Sequence, residues 1–427
     1  MERRLNAELW DKMHYLFRDF NDRMVHLELH YDFEIDIEAL KTVLVCFLEK
    51  APVLHSSFTD NHVSPYWTVM PYHIDDVLTV EHFENEEDLK EATDSFLTQY
   101  IPPESSLQMK VAAYFLEGKT TLLMVENHMC MDGGDFKYFI KEFCKAYTDF
   151  VEKGESPLNL RVGSRSYENV YSSFTKGQKK MAQSLYKNVC AKDTHKFPLT
   201  ESRDDDRSFI ARRKISEETF LKLKQVGKEK GATVNDMLVT AYFYALYELA
   251  DYNTEDSVTI SCAIDLRRHI KSDEGQGVTN HTAFMQCNIP RRGKDIFETL
   301  RYVVNSADLF KKDKFMGLYG LPLLKLGYRI LPHAASEEII KIGYSNPLLA
   351  MSNIGILDHK ALALCSNEPV DGFMTGAVKY KPYVLLSATS MRNVITLSMC
   401  VRGNDEDKKI VERFFDLIEK SIDLLIS

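Results

Sequence analysis

The stretch TLLMVENHMCMDGGDFKYFI, Thr121 to Ile140, changes character three times within twenty residues. Its first third is apolar and β-prone, as a buried strand requires. Its last third opens a run in which Phe136, Phe139, Ile140, Phe143, Tyr147 and Phe150 recur at spacings of three and four, the signature of a helix with one apolar face. Asp135 is placed to cap that helix. Between strand and helix stand His128, Asp132, Gly133 and Gly134. A strand–turn–helix corner holds a side chain more firmly than a long loop does. This corner is therefore either a polar connection that turns the chain or a mounting for a catalytic base.

Working outward, LQMKVAAYFLEGKTTLLMVEN predicts a hairpin turning at Gly118, so the strand before His128 has a partner. Upstream, Leu9, Trp10, Met13, Leu16, Phe17 and Phe20 predict an opening helix, and HLELHYDFEI (His26–Ile35) a half-buried strand. Asp36 can cap IEALKTVLVCFLEK. VLHSSF and YWTVM predict short strands, and ENEEDLKEATDSFLTQY a charged helix. From Glu152 to about Ser208 the chain turns polar and interrupted, which marks a connection between two halves. SFIARRKI then predicts a strand, Ser216 and Glu217 open a helix that Gly231 closes, and Thr233 or Asn235 caps DMLVTAYFYALYELA. SVTISCAI, VTNHTAFMQCNI, PYVLLSAT and VITLSMCV predict strands, the last two joined at Arg392-Asn393. Asn404 or Asp405 caps a final amphipathic helix.

Composition narrows the function classes. Fifty-three basic against 63 acidic side chains leave a net charge of −10 in 427 residues, which disfavours a nucleic-acid backbone as the main ligand. The longest apolar stretch, Met237–Ala250, is shorter than the roughly 18–20 residues a membrane span needs. The N-terminus mixes charges and does not read as a signal peptide. The eight cysteines are scattered without CxxC spacing and read as small apolar fillers in a reducing compartment, so a cytoplasmic protein without a metal site is expected.

Taken in order, several segments resemble the condensation-domain and alcohol-acyltransferase superfamily, whose fold is that of chloramphenicol acetyltransferase. DIEALKTVLVCFLEKAPVLHSSF is similar to the family's early helix and strand, and NHMCMDGG to its His-x-x-x-Asp-Gly signature. GATVNDMLVTAYFYAL is similar to its Gly-x-Thr-x-Asn-Asp helix entry, AIDLRRHI to a Pro-Val-Asp-Leu-Arg strand end with Ala263 in place of Pro, and MSNIGILD to its late Ser-Asn-x-Gly element. A second HxxxD, His269 to Asp273, lies in a polar stretch with no strand before it. Many condensation domains carry two successive histidines, whereas Asn127 precedes His128 here.

The resemblance implies an α/β fold of two α+β lobes forming a V with an active-site tunnel between them. Residues 1–170 would form the lobe carrying HxxxDG, 171–208 the connecting region, and 209–427 the second lobe. It implies a stand-alone acyltransferase, moving an acyl group from acyl-CoA to a hydroxyl or amine of a small metabolite or lipid. A condensation enzyme taking acyl groups from a carrier protein is the first alternative, and a non-catalytic binding member of the fold the second. No tightly bound cofactor is implied; acyl-CoA, or an acyl-pantetheine carrier, is a co-substrate.

A neutral imidazole suits the proton transfer, since its ordinary pKa of about 6.5 lies near working pH. His128 is the expected general base. By the resemblance, Asp132 is structural and pairs with an arginine across the site, either Arg267 or Arg268. Gly133 and Gly134 would allow a tight turn and close approach. Asn127, Ser352, Asn353 or backbone amides near Gly133 are candidate oxyanion or substrate contacts.

Overall fold

A computed structural model describes residues 3–154, 162–184, 193–271, 277–319, 321–343 and 347–427. Cys190, Asp273 of the second HxxxD, and parts of the expected polar connection lie outside the described residues.

The hairpin that precedes the motif is formed as expected. Strands Met109–Leu116 and Lys119–Asn127 pair antiparallel in continuous register. Glu117 and Gly118 turn the chain with φ of 51° and 77°, the left-handed pair that matches the twist of a tight hairpin. The motif strand lies in the middle of a five-stranded sheet. One neighbour is Met109–Leu116, backed by Leu78–His82; the other is Met24–Tyr31, backed by Asp371–Thr375. Helices Ile37–Lys50 and Gly133–Lys153 cover one face, and Phe47 meets Phe139 and Phe143 edge-on in their shared core. Helix Glu86–Leu97 covers the other face through Phe96 and Leu97.

A seven-stranded sheet builds the other lobe. In spatial order its strands are Thr282–Ile289, Val258–Asp265, Leu349–Ile356, Val384–Met391 and Val394–Gly403, with Arg207–Ile215 and the short Lys379–Tyr380 both paired to the last. Arg392 and Asn393 form the expected turn, both at positive φ. Helices Val234–Leu249 and Asp405–Ile426 bury their apolar faces against this sheet, their caps being Thr233 and Asn404. The helix Ile296–Lys311, not expected from the sequence, joins the same core.

Two features cross the expected division of the chain. The strand Asp371–Thr375 comes from the second half yet completes the first sheet, pairing with Met24–Tyr31. The chain then returns to the second sheet through residues 376–380, clasping the first half on the way. Asp22 N–H donates to the Val378 carbonyl at 3.1 Å, and Tyr380 N–H to the Phe20 carbonyl at 3.0 Å. The expected connecting region is also packed. Val170, Tyr171 and Ala182 share a small core with Leu9, Leu266 and Leu318, so this segment is part of the seam between lobes. No described helix is long and apolar enough to cross a membrane.

Candidate active site

The strand ends at Asn127, and the corner is tied down before it reaches the helix. His128 N–H donates to the Arg23 carbonyl at 2.7 Å and Cys130 N–H to the Asn127 carbonyl at 2.7 Å. Asn127 is fully buried, its amide donating to Gln108 Oε1 at 2.8 Å and its Oδ1 accepting from Met129 N–H at 3.1 Å. Asn127 is thus a bracket for the turn and does not line the cavity that holds His128, which corrects its candidacy as a substrate contact. Arg165, from the segment read as a connection, clamps the same turn. Its guanidinium donates to the Cys130, Val278 and Met129 carbonyls at 2.6, 2.5 and 3.2 Å and pairs with Asp11 at 2.7 Å.

Asp132, not Asp135, caps the helix that follows: its Oδ1 accepts from Gly134 and Asp135 N–H at 2.9 and 3.0 Å. The sequence reading moved the cap three residues late, because an Asp in the first turn resembles a cap in sequence. Arg267 reaches Asp132 from the opposite lobe with two bonds, at 3.0 and 3.1 Å, and also pairs with Asp135 at 2.9 Å and Asp265 at 3.0 Å. His281 N–H adds a bond to Asp132 Oδ2 at 2.6 Å. Burial opposes the charge on Asp132, but Arg267 and the backbone donors outweigh it and hold the carboxyl well below the usual range. Burial and the neighbouring Asp132 charge push Asp135 up to about 8. Asp132 is saturated by these partners, as a structural aspartate would be.

Of the two arginines considered, Arg267 is the partner. Arg268 is exposed, with its guanidinium beside Met316 Sδ at 3.6 Å, and plays no part in the site. The two glycines also differ. A Cβ on Gly134 would sit 2.8 Å from Arg267 Nη1, whereas on Gly133 its nearest neighbour would be Ile354 Cγ2 at 4.0 Å. Of the two glycines, Gly134 is the one that a side chain approaches closely, and that side chain is Arg267.

His128 opens onto a cavity of about 220 Å³ walled by both lobes, with Asp132, Gly133, Ser352 and Asn353 among its lining residues. The imidazole is oriented by Asn280. The Asn280 amide donates to the His128 carbonyl at 2.6 Å, which turns its Oδ1 toward His128 Nδ1 at 3.1 Å. An oxygen there can only accept, so Nδ1 carries the proton and Nε2 keeps its lone pair. Burial lowers the His128 pKa, more than the nearby Asp132 raises it. The ring is therefore neutral at neutral pH, as a base must be. His14 stacks on it, with centroids 4.3 Å apart and planes inclined by 24°.

Ser352 and Asn353 lie on the strand Leu349–Ile356, at a bulge between Asn353 and Gly355, and not in the turn that a Ser-Asn pair suggests. The Asn353 amide is used locally, donating to Asn235 Oδ1 at 3.1 Å and accepting from Gly355 N–H at 3.0 Å. Ser352 and the backbone at Gly133 remain the cavity-lining candidates for an oxyanion contact. In the second HxxxD, His269 is buried and bonded to the Met316 carbonyl at 2.9 Å.

Sequence reasoning missed His14, Arg165, Asn280 and Lys379. Asn280 had a weak signal. VTNHTAFMQC was read as one strand, but the strand begins at Thr282. Asn and His interrupt the β-branched run where the backbone leaves the sheet to serve the motif, with Thr279 N–H donating to Asp135 at 3.1 Å.

Two lobes, a shared cavity and an imidazole on a strand–turn–helix corner are the arrangement expected of the condensation-domain fold. The chain belongs to the condensation-domain family, whose sequence profile matches residues 17–279. Its fold is similar to the first condensation domain of the calcium-dependent antibiotic synthetase, with a TM-score of 0.72 at 11% identity, covering 99% of this chain and 96% of the other. It is also similar to polyketide synthase associated protein 5 from Mycobacterium tuberculosis (TM-score 0.68, 15% identity, 97% and 96% coverage). A third similar structure is the trichothecene 15-O-acetyltransferase from Fusarium sporotrichioides (TM-score 0.67, 12% identity, 100% and 96% coverage). No curated protein sequence matches the chain. The expected fold of two α/β lobes stands, in a family whose members are generally transferases.

Proposed function

We propose that this protein is a stand-alone acyltransferase that moves an acyl group from acyl-CoA to a hydroxyl or amine of a small metabolite or lipid. The observation that carries this reading is the His128 imidazole, neutral and with Nε2 unprotonated, at a cavity between the lobes. Nε2 takes the acceptor proton as the acceptor oxygen or nitrogen attacks the thioester carbonyl. The new bond gives a tetrahedral oxyanion, the carbon–sulfur bond breaks, and His128 returns the proton to the departing thiolate. No acyl-enzyme forms. Ser352 or the backbone at Gly133 faces the oxyanion, while Asp132 and Arg267 hold the corner across the lobe seam. Acyl-CoA enters as a co-substrate and no tightly bound cofactor takes part.

A panel of acyl-CoAs with pooled alcohols and amines, read by free thiol release, tests the proposal. Acceptor-dependent release that is lost in His128→Ala supports it; release unchanged in that variant removes the base assignment. The match to the condensation-domain family favours a second reading, in which the donor is an acylated carrier protein. Turnover with acyl-carrier protein and none with any acyl-CoA would establish that reading instead.

A further inference from the structure

The cavity wall carries a cation that the acyl-transfer step does not require. Lys379 lies on the segment that returns from the first sheet to the second, and its side chain lines the cavity that holds His128. It also lines a second, smaller cavity of about 80 Å³, which shares Phe17, Asn21, Phe284, Ala350 and Lys379 with the first. Lys379 therefore stands where the two spaces meet. Its ammonium makes no hydrogen bond or ion pair to any described residue. Arg267, by contrast, is ringed by Asp132, Asp135 and Asp265.

The acid that acts on Lys379 is Asp22, and that carboxyl is committed elsewhere. Its Oδ1 accepts from Met24 and Val378 N–H, both at 2.9 Å. Burial pushes Asp22 up to about 7, which weakens it as a counter-charge. Burial also brings Lys379 down to about 8, with Asp22 opposing. A partly desolvated ammonium without a partner is costly in the empty site and becomes favourable once an anion reaches it. The remaining walls of the smaller cavity include Phe20, Leu348 and Tyr383, which suit the hydrocarbon part of such a ligand.

We propose that Lys379 binds a substrate carboxylate, so that the protein acts on an anionic substrate whose carboxylate sits at the junction of the two cavities while its reacting group faces His128. The assignment of that ligand as a substrate rests on the acyl-transfer reading. The carboxylate belongs either to the acceptor, as in a hydroxy acid, or to the acyl group, as in a dicarboxylic acyl thioester.

Binding of lactate and butyrate, against lactamide and butyramide, is measured by NMR titration on the full chain, with Lys379→Met and Lys379→Arg alongside. The carboxylates are expected to bind about tenfold tighter than their amides, as a charge-assisted hydrogen bond supplies. The preference should vanish in Lys379→Met and survive in part in Lys379→Arg, with thermal melts confirming that both variants fold. Turnover then separates the sources. A Lys379-dependent preference for succinyl-CoA over butyryl-CoA puts the carboxylate on the donor; a preference for lactate over lactamide puts it on the acceptor. Equal binding of acids and amides, no carboxylate binding, or a preference that persists in Lys379→Met overturns the proposal. Carboxylate binding without thiol release from any acyl-CoA or acyl-carrier protein would defeat the acyl-transfer reading and leave the anion site standing.

Discussion

The motif corner has two sides, and they are built on opposite principles. Behind it, Asp132 accepts from two helix amides, from the His281 amide and twice from Arg267, so the carboxylate has no capacity left. In front of it, His128 keeps an unused Nε2, His14 touches it only through its ring face, and Lys379 has no described partner. Saturated polar groups fix a backbone; unsatisfied ones at a cavity wall wait for a ligand. The difference explains how one short motif supplies both an anchor and a reactive group. It also separates the two aspartate roles by geometry, since Asp132 turns its oxygens to the seam and makes no bond to the imidazole it follows by four residues.

Breaking the rear of the corner should have the largest effect. Arg267→Ala leaves buried Asp132 without its partner from the other lobe, and about 3–5 kcal/mol of stability should be lost, visible as a lower Tm and denaturant midpoint. The pH dependence has a definite sign. The folded-state pKa of Asp132 is depressed, so its contribution is complete above the ordinary carboxylate value near 4 and is lost as pH falls through the folded value. Melts of wild type and Arg267→Ala should therefore stay apart from pH 7 to about 4 and begin to converge only as pH falls below that value. Unchanged stability in the variant would mean that the bracket does not hold the seam.

Removing the front should do the reverse. His128→Ala is expected to lower acceptor-dependent thiol release by about 10²–10⁴-fold, with Tm nearly unchanged. A large fall in both would erase the distinction between the two sides. The glycine pair sharpens it on a finer scale. Gly134→Ala pushes a methyl group against the Arg267 guanidinium and should cost about 1–3 kcal/mol, whereas Gly133→Ala meets only an ordinary contact, with Ile354 Cγ2 at 4.0 Å, and should be nearly neutral in a melt.

What the sequence showed follows the same division. The motif strand, the hairpin, the capped helices and the turn at Arg392-Asn393 were legible because periodicity and turn chemistry are local signals. His128 and Asp132 were legible because the motif sits in a strand–turn–helix context. The residues that complete the site come from far along the chain, and nothing local marks them. Asn280 bonds to His128 across 152 positions and Arg165 to Asp11 across 154. The strand Asp371–Thr375 was missed for the same reason: it pairs with residues 26–30, and no local pattern says which sheet a strand will join. Asn127 and Arg268 misled because their types suit a site while their side chains point into the core and to the surface.

The smallest expected effects test whether the front is tuned or merely open. Asn280 fixes the imidazole tautomer with one neutral hydrogen bond, so Asn280→Ala should slow thiol release by no more than about tenfold. The pH profile carries the complementary information. Burial lowers the His128 pKa, and a base works only when unprotonated, so the acid limb of kcat/KM should have its midpoint below the ordinary histidine value of about 6.5. Asn280 stabilises the protonated ring through Nδ1–H, opposing burial, so Asn280→Ala should move that midpoint further down even as the rate falls. A merely structural role for Asn280 would lower the rate and leave the limb in place. A limb that moves up would mean that the bound ring presents the other nitrogen, and the assignment of Nε2 as the proton acceptor would be wrong.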